Sequence, residues 1–242
     1  MTEYGNQNTE ITDAAPLLEC RGVTKSFAVK RATLPVLTGV CFSVQAGEVL
    51  VITGRSGAGK STLLNLLGGL ERPTAGSIVF AGRPLETLSA EALAQLRREQ
   101  IGIIFQNFNL LPTWTTFENV EAALLHTRLT PAERREQVLA LLRELGLDER
   151  LDNRPAELSA GQQQRVAIAR TLAHSPRLIL ADEPTGDVDP ETAAEILARL
   201  LAAVRQGGAT LIVATHGSFP LDQADRILRL QDGVVREAPA AC

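Results

Sequence analysis

One stretch of the chain carries the residue types needed to bind a chain of phosphates. It reads Gly54, Arg55, Ser56, Gly57, Ala58, Gly59, Lys60, Ser61, Thr62. This order fills every fixed position of the pattern GxxxxGK[ST]. Glycines lack a Cβ and can take positive φ, so successive backbone N–H groups can surround an anion. We therefore expect Lys60 to reach the β- and γ-phosphates of a nucleotide and the Ser61 hydroxyl to bind Mg²⁺.

The flanking residues predict a strand before this loop and a helix after it. Residues 49–52 are apolar and mostly β-branched, and residues 63–67 are mainly leucine. A helix that begins near Lys60 directs its free N–H groups and the positive end of its dipole at the same anion. A merely flexible glycine-rich turn would not require this arrangement of strand, loop and helix.

Polar side chains follow three other apolar runs, at 101–105, 178–181 and 210–215. They are Gln106, the pair Asp182 and Glu183, and His216. Each one taken alone is an ordinary surface residue at the end of a strand. In an open α/β sheet, however, ligands bind beyond the carboxyl ends of the strands, so we expect these side chains to converge on the phosphate loop. Asp182 is then placed to hold Mg²⁺ and Glu183 to orient a water molecule.

The composition of the 242 residues is that of a globular protein, with 45% hydrophobic and 21% charged residues. No apolar run approaches the roughly 18 residues of a membrane helix. The net charge of −4 and the lack of a basic cluster provide no footprint for nucleic acid. Three widely spaced cysteines fit neither a zinc site nor a disulfide framework. Residues 1–16 are acidic and predict a disordered tail instead of a signal peptide, which favours the cytosol.

The remaining pattern predicts the elements that position these groups. Short strands are expected at 17–20, 34–37 and 40–44, and a closing hairpin at 226–236. Helices begin at good capping residues, which are Ser89, Thr130, Ser159 and Asp189. The helical signal dominates between residues 107 and 157, which we interpret as an insertion.

These motifs together resemble the nucleotide-binding subunit of an ATP-binding cassette (ABC) transporter over residues 17–236. The discriminating element is the run Leu158, Ser159, Ala160, Gly161, Gln162, which matches the family's signature motif some 20 residues before the acidic strand end. Gln106, Asp189 and His216 match its Q-loop, D-loop and H-loop.

The resemblance implies an α/β fold with a RecA-like P-loop NTPase core. The core contains a mainly parallel sheet, an N-terminal antiparallel β subdomain and an inserted α-helical subdomain. We expect a single ABC ATPase domain over 17–242, with the core and β subdomain at 17–106 and 165–242 and the helical subdomain at 107–164.

The resemblance also implies roles for individual residues. Two copies would sandwich two ATP molecules, with Ser159 and the Gly161 amide of one copy on the γ-phosphate held by the other; Gln162 and Asp189 belong to the same motifs. Glu183 would activate water, His216 would contact the γ-phosphate, and Lys60 completes the expected catalytic set. Gln106 would join Mg²⁺ and sense a transmembrane permease. Phe27, which composition alone assigns to packing, would stack on adenine.

Three positions depart from the family's usual wording. Ala160 replaces a glycine of the signature, Gly217 follows His216 where an acidic residue is usual, and residues 187–189 read Asp-Val-Asp. Pro220 and its neighbours also disturb the start of the element after His216. We expect the surroundings of His216 to be held differently from those in relatives.

The wording around Gln106 and Glu183 resembles the lipoprotein-releasing and macrolide-export branch. This implies an ATPase at the cytoplasmic face of the inner membrane, peripheral and bound to a permease. Two alternatives stay open: a mechanical or signalling module that uses the same ATP chemistry without transport, and a soluble ABC protein of DNA repair or translation. The second lacks support, because the chain has no heptad run, cysteine cluster or second cassette.

Overall fold

The computed structural model describes residues 15–29, 32–186, 188–217 and 219–238. The tail predicted over 1–16 therefore lies almost entirely outside the described residues, as do Asp187 and Ser218, which belong to two of the variant motifs.

The described residues form ten strands and six α-helices, joined by loops and short 3₁₀ turns. The strands are β1 (Leu18–Val29), β2 (Ala32–Val44), β3 (Val49–Thr53), β4 (Ala75–Phe80), β5 (Arg83–Pro84), β6 (Ile101–Ile104), β7 (Leu178–Asp182), β8 (Thr210–Thr215), β9 (Arg226–Gln231) and β10 (Val234–Glu237). The helices are α1 (Lys60–Leu67), α2 (Ala90–Glu99), α3 (Thr116–Glu121), α4 (Pro131–Glu144), α5 (Ala160–Leu172) and α6 (Pro190–Gly207).

A six-stranded sheet in the order β10-β9-β3-β8-β7-β6 forms the centre of the molecule. Every neighbouring pair in it is parallel except the β9–β10 hairpin. The inner strands β3, β7 and β8 are buried along almost their whole length, as their unbroken apolar sequences predict for strands covered on both faces. The mainly parallel α/β core is confirmed.

The N-terminal strands form a second, antiparallel sheet in the order β2-β1-β4-β5. The prediction of several short strands here is wrong in detail, because β1 and β2 are each continuous. Pro35 lies within β2, and the strand tolerates it because β2 is an edge strand with one side free of ladder hydrogen bonds. Register shifts in the β1–β2 ladder occur on both sides of Lys25.

Predicted capping residues begin four of the helices. Ser89, Thr130, Ser159 and Asp189 each accept a hydrogen bond from the backbone N–H three residues later. A capping box therefore fixes the start of α4, where the Glu133 carboxylate accepts a hydrogen bond from the Thr130 N–H group at 2.7 Å.

The central sheet separates two apolar cores, and alternate residues of β3 contribute to each. Leu50 and Ile52 pack with α1 and the antiparallel sheet. Val49 and Val51 pack with the helices on the other face, and residues of α3 and α4 belong to that same core. The proposed subdomain boundary between residues 164 and 165 falls inside α5.

None of the helices in the described residues combines the length and the apolar character needed to cross a membrane.

Candidate functional site

The glycine-rich loop joins the carboxyl end of β3 to the start of α1, as predicted. Gly57 and Gly59 have φ of 76° and 99°, in the left-handed region that glycine adopts freely. Gly54 is required for another reason, because a Cβ there would lie 2.6 Å from the carbonyl oxygen of Leu230 in β9. In this loop Arg55 and Ser56 are exposed and Ala58 is half-buried, and Thr62 of α1 is also half-buried. The loop therefore packs closely against Leu230 of β9 and leaves Arg55 and Ser56 exposed.

Lys60 is buried at the first position of α1, with 7% of its surface exposed. Its Nζ donates to the Gly54 carbonyl at 2.9 Å and lies 3.4 Å from Oε1 of Glu183. A buried ammonium group is stable only with such partners. The Lys60 charge is thus held between the loop and the end of β7.

Glu183 lies directly after β7 with a φ of 44°, which is uncommon for a residue other than glycine. Its N–H group donates to the Ala214 carbonyl at 2.9 Å, which ties this turn to β8. His216, just beyond β8, places Nδ1 2.9 Å from Oε1 of Glu183 and donates its backbone N–H to Oε2 at 3.3 Å. The imidazole is mostly exposed while the carboxylate is mostly buried. The positive φ of Glu183 is a backbone strain of the kind that is typical of functional sites.

Asp182 is the last residue of β7, and its carboxylate accepts a hydrogen bond from the Ser61 hydroxyl. Burial raises the pKa of Asp182 above its ordinary value, although the Ser61 hydrogen bond acts in the opposite direction. Its Oδ1 is buried and has no hydrogen-bond partner among the described residues. A buried oxygen of this kind is well suited to a cation.

Gln106 lies two residues beyond the end of β6, and β6 pairs with β7 in the sheet. It is exposed, and its Nε2 is 3.9 Å from the position that a Cβ of Gly186 would occupy. The Gly186 N–H group donates to the Glu183 carbonyl, so Gln106 adjoins the turn that carries Glu183. The structure therefore gathers Lys60, Ser61, Asp182, Glu183 and His216 through direct contacts and places Gln106 at their edge.

The signature residues make no hydrogen bond or ion pair with this group within the described part of the chain. Ser159 and Gln162 bond each other in a capping box, with Ser159 Oγ accepting at 3.3 Å and Gln162 Oε1 accepting at 2.9 Å. The N–H groups of Ala160 and Gly161 have no hydrogen-bond partner within the described part of the chain. Asp189 is exposed and caps α6. These residues form a second surface, at the start of α5 and α6.

Phe27 is half-buried in β1, opposite Leu34 of β2. The Lys25 ammonium lies 4.8 Å from the centre of its ring. Lys25 is itself fixed by the Arg72 carbonyl at 2.9 Å and by Oε2 of Glu71 at 3.0 Å. Sequence reasoning missed Lys25, although its spacing of two from Phe27 on a strand places both on one face.

More than half of the chain matches the model of one protein family. The ABC transporter model matches residues 37–186, a span that contains the phosphate loop, Gln106, the signature and Glu183. The chain belongs to the ABC transporter family. Because the matched span covers more than half of the chain, the family resemblance drawn from the motifs is confirmed.

Curated relatives of this ABC cassette include export proteins. The macrolide export ATP-binding/permease protein MacB of Brucella melitensis is 44% identical over 221 residues, covering 91% of this chain and 34% of the relative. The pyoverdine export ATP-binding/permease protein PvdT of Pseudomonas entomophila is 44% identical over 229 residues, covering 94% and 35%. The resemblance to the macrolide-export branch is confirmed. The chain spans about a third of the length of the curated relatives it matches.

Solved structures confirm the fold of this ABC cassette. The dimeric post-hydrolysis state of the ATP-binding cassette MJ0796, bound to ADP and Pi, superposes with a TM-score of 0.85 at 38% identity, over 93% of this chain and 99% of that one. CbiO1 from Clostridium perfringens, part of the transporter complex cbiONQ, gives a TM-score of 0.78 at 30% identity, over 91% and 87%.

Proposed function

We propose that this chain binds and hydrolyses ATP and that it pairs with a second copy around two ATP molecules to drive a transmembrane permease of the export type. The observation that carries the proposal is the contact of Lys60 and His216 with Glu183. Three separate strand ends supply these groups, and their meeting places a cation, a carboxylate and an imidazole beside a phosphate-binding loop.

Three residues around the carboxyl end of β7 also fit Mg²⁺. The Ser61 hydroxyl, the Asp182 carboxylate and the Gln106 side-chain carbonyl are hard oxygen donors of the kind that this ion prefers. The buried Oδ1 of Asp182 lacks a partner among the described side chains, and a bound cation would satisfy it. When bound, Mg²⁺ supplies charge neutralisation for the β- and γ-phosphate oxygens.

Each remaining group then has one task in hydrolysis. The free N–H groups of the loop and the Lys60 ammonium bind the phosphates. The Glu183 carboxylate accepts a proton from the water whose oxygen attacks the γ-phosphorus, and ADP leaves. His216 holds that carboxylate through Nδ1 and through its backbone N–H group. Phe27 offers an aromatic face to the adenine.

Pairing of two copies explains why the signature surface is separate from the phosphate loop. The N–H groups of Ala160 and Gly161 point along the start of α5, where a helix attracts anions. In the proposed pair this start faces the γ-phosphate held by the other copy, with Ser159, Gln162 and Asp189 at the interface. The MJ0796 structure, described as dimeric and bound to ADP and Pi, supports this arrangement.

The names of the relatives support a partner and a location for this cassette. MacB and PvdT are named as export proteins that combine ATP binding with a permease. We infer that this cassette acts with a permease at the cytoplasmic face of the inner membrane. Macrolides or pyoverdines are the cargo classes suggested by those names.

Two substitutions test the ATPase. Lys60→Ala should abolish ATP binding, measured by equilibrium dialysis, because the loop loses its only buried cation among the described contacts of the site. Glu183→Gln should retain binding and lose hydrolysis. Hydrolysis by Glu183→Gln near the wild-type rate would exclude Glu183 as the general base.

The permease is tested by purifying tagged Glu183→Gln protein from detergent-solubilised membranes with Mg-ATP. An integral membrane protein recovered in stoichiometric amount supports the proposal. Reconstituted transport that tracks hydrolysis would then exclude a purely mechanical module. Recovery of only soluble proteins or nucleic acid would contradict the permease and favour the soluble alternative.

A further inference from the structure

Gly161 contacts its own subunit on the side where another residue would carry a Cβ. A Cβ there would lie 2.5 Å from Cγ2 of Thr192 in α6, closer than side chains approach one another. Val188 Cγ1 would lie 3.8 Å away. Gly161 is also buried, although it is only the second residue of α5. The bare Cα of Gly161 is therefore covered by the start of α6.

The contact continues along the two helices. One turn after Gly161, Arg165 Nη1 lies 3.8 Å from Oε1 of Glu195, which is itself one turn after Thr192. Residues three or four apart lie on the same face of a helix, so these two pairs form one seam between α5 and α6. Arg199 lies further along α6 and also binds Glu195, at 2.8 Å.

Thr192 is fixed at this seam by the cap of its own helix. Its backbone N–H donates to Oδ1 of Asp189 at 3.0 Å, and its side chain also hydrogen-bonds the Asp189 carboxylate. The position of its methyl group is therefore set by the Asp189 cap.

We propose that Thr192 is a positioning residue, whose methyl group against the bare Cα of Gly161 holds the start of α5 in place for the nucleotide of the second copy. The inference rests on the proposed function. It assigns the need for glycine at 161 to packing within one subunit, and not to the approach of the phosphate. An added methyl group at position 161 would then push the start of α5 away from Thr192.

The test removes or keeps the single atom that would clash. Gly161→Ala is prepared alone and together with Thr192→Ser, which loses Cγ2 but keeps the hydroxyl bonded to Asp189. Thr192→Val is the matched control, because it keeps a methyl group at the seam. All variants carry Glu183→Gln, and the ATP concentration needed for pairing is measured by analytical ultracentrifugation. Thr192→Ser and Thr192→Val alone are also measured.

Gly161→Ala is expected to raise the ATP concentration needed for pairing by about tenfold or more, since the altered seam misplaces the Gly161 amide. Adding Thr192→Ser should recover most of this loss, while Thr192→Val should recover none. Equal pairing by the two double variants would overturn the proposal, because the added Cβ would then clash with the nucleotide or with the second copy and not with Thr192. If Gly161→Ala lowers the melting temperature, the melting temperatures of the two double variants are compared in the same way. Recovery of the melting temperature with Thr192→Ser but not with Thr192→Val supports the contact.

Failure of the proposed function gives a different result. In that case two copies of the Glu183→Gln protein would not pair with each other at any ATP concentration, whichever residue occupies position 161. Binding of ATP to unpaired subunits through the phosphate loop is measured in the same samples. It separates loss of the nucleotide site from loss of the seam.

Discussion

Nδ1 of His216 lies 2.9 Å from Oε1 of Glu183, and the same histidine donates its backbone N–H group to the other carboxylate oxygen. The residue that follows β8 therefore holds the carboxylate of the residue that follows the neighbouring strand β7. Since the imidazole is largely exposed, it can also reach a phosphate that enters beside Lys60.

His216→Ala should lower the rate of ATP hydrolysis by about 100-fold, the lower range of contributions from a positioned acid–base group. ATP affinity should change only a few-fold, because Lys60 and the loop remain. The rate is measured as phosphate release under saturating Mg-ATP. His126→Ala is the control, since His126 is an exposed histidine far along the chain near the end of α3. More than half of the wild-type rate in His216→Ala would contradict the role of the imidazole.

Asp182→Asn should raise the Mg²⁺ concentration needed for half-maximal hydrolysis. Loss of a residue that only supports a metal ligand costs about 10–100-fold in metal affinity, so loss of the carboxylate itself should cost at least about tenfold. Ser61→Ala should shift the same curve in the same direction. Binding of ATP in EDTA is the control, together with the exposed Asp152→Asn. An unchanged Mg²⁺ curve would remove Asp182 from the metal site.

Asn119 should stabilise the loop at 111–115, which presents Leu111 and Trp114 to the surface. Its side chain is fully buried; it accepts from the Leu111 N–H group at 2.8 Å and donates to the carbonyls of Leu111, Trp114 and Thr115. Asn119→Asp keeps the acceptor but loses the donors and buries a charge. The free energy of unfolding in urea at pH 7 should fall by about 2 kcal/mol or more. A fall below about 0.5 kcal/mol would show that the loop holds without these bonds.

Stability should fall as the pH drops below the ordinary histidine value of 6.5. The pKa of His174 is lowered by burial and by the neighbouring His126, although a hydrogen bond with the Ile101 backbone acts in the opposite direction. Below pH 6.5 the unfolded chain therefore binds a proton that the folded chain does not, and unfolding is favoured until the folded pKa is reached. Above this window both states are neutral and the effect vanishes.

Urea unfolding at pH 7.5 and 5.5 measures this dependence. His174→Asn should reduce the difference between the two pH values, and His126→Asn should reduce it by a smaller amount because only the neighbouring charge is lost. The same pH dependence in wild type and His174→Asn would assign the effect to other groups.

The motifs of the sequence determined the class of the fold and the choice of the residues that we propose for the site. Several of the signals are local, so they can be recognised without knowing how the chain folds. They are the strand-loop-helix pattern around Lys60, the unbroken apolar runs before Asp182 and His216, and capping residues such as Thr130. Continuity of β1 and β2 was not recognised, because the tolerance of Pro35 depends on β2 being an edge strand.

Only the tertiary structure decided which of these residues meet. The order of the strands brings Glu183 against both Lys60 and His216, and the packing of α5 against α6 places Thr192 on Gly161. The residues of the first and last of these contacts are more than 30 positions apart in the chain. Sequence periodicity describes one element at a time, whereas such contacts depend on sheet order and on the spacing of packed helices.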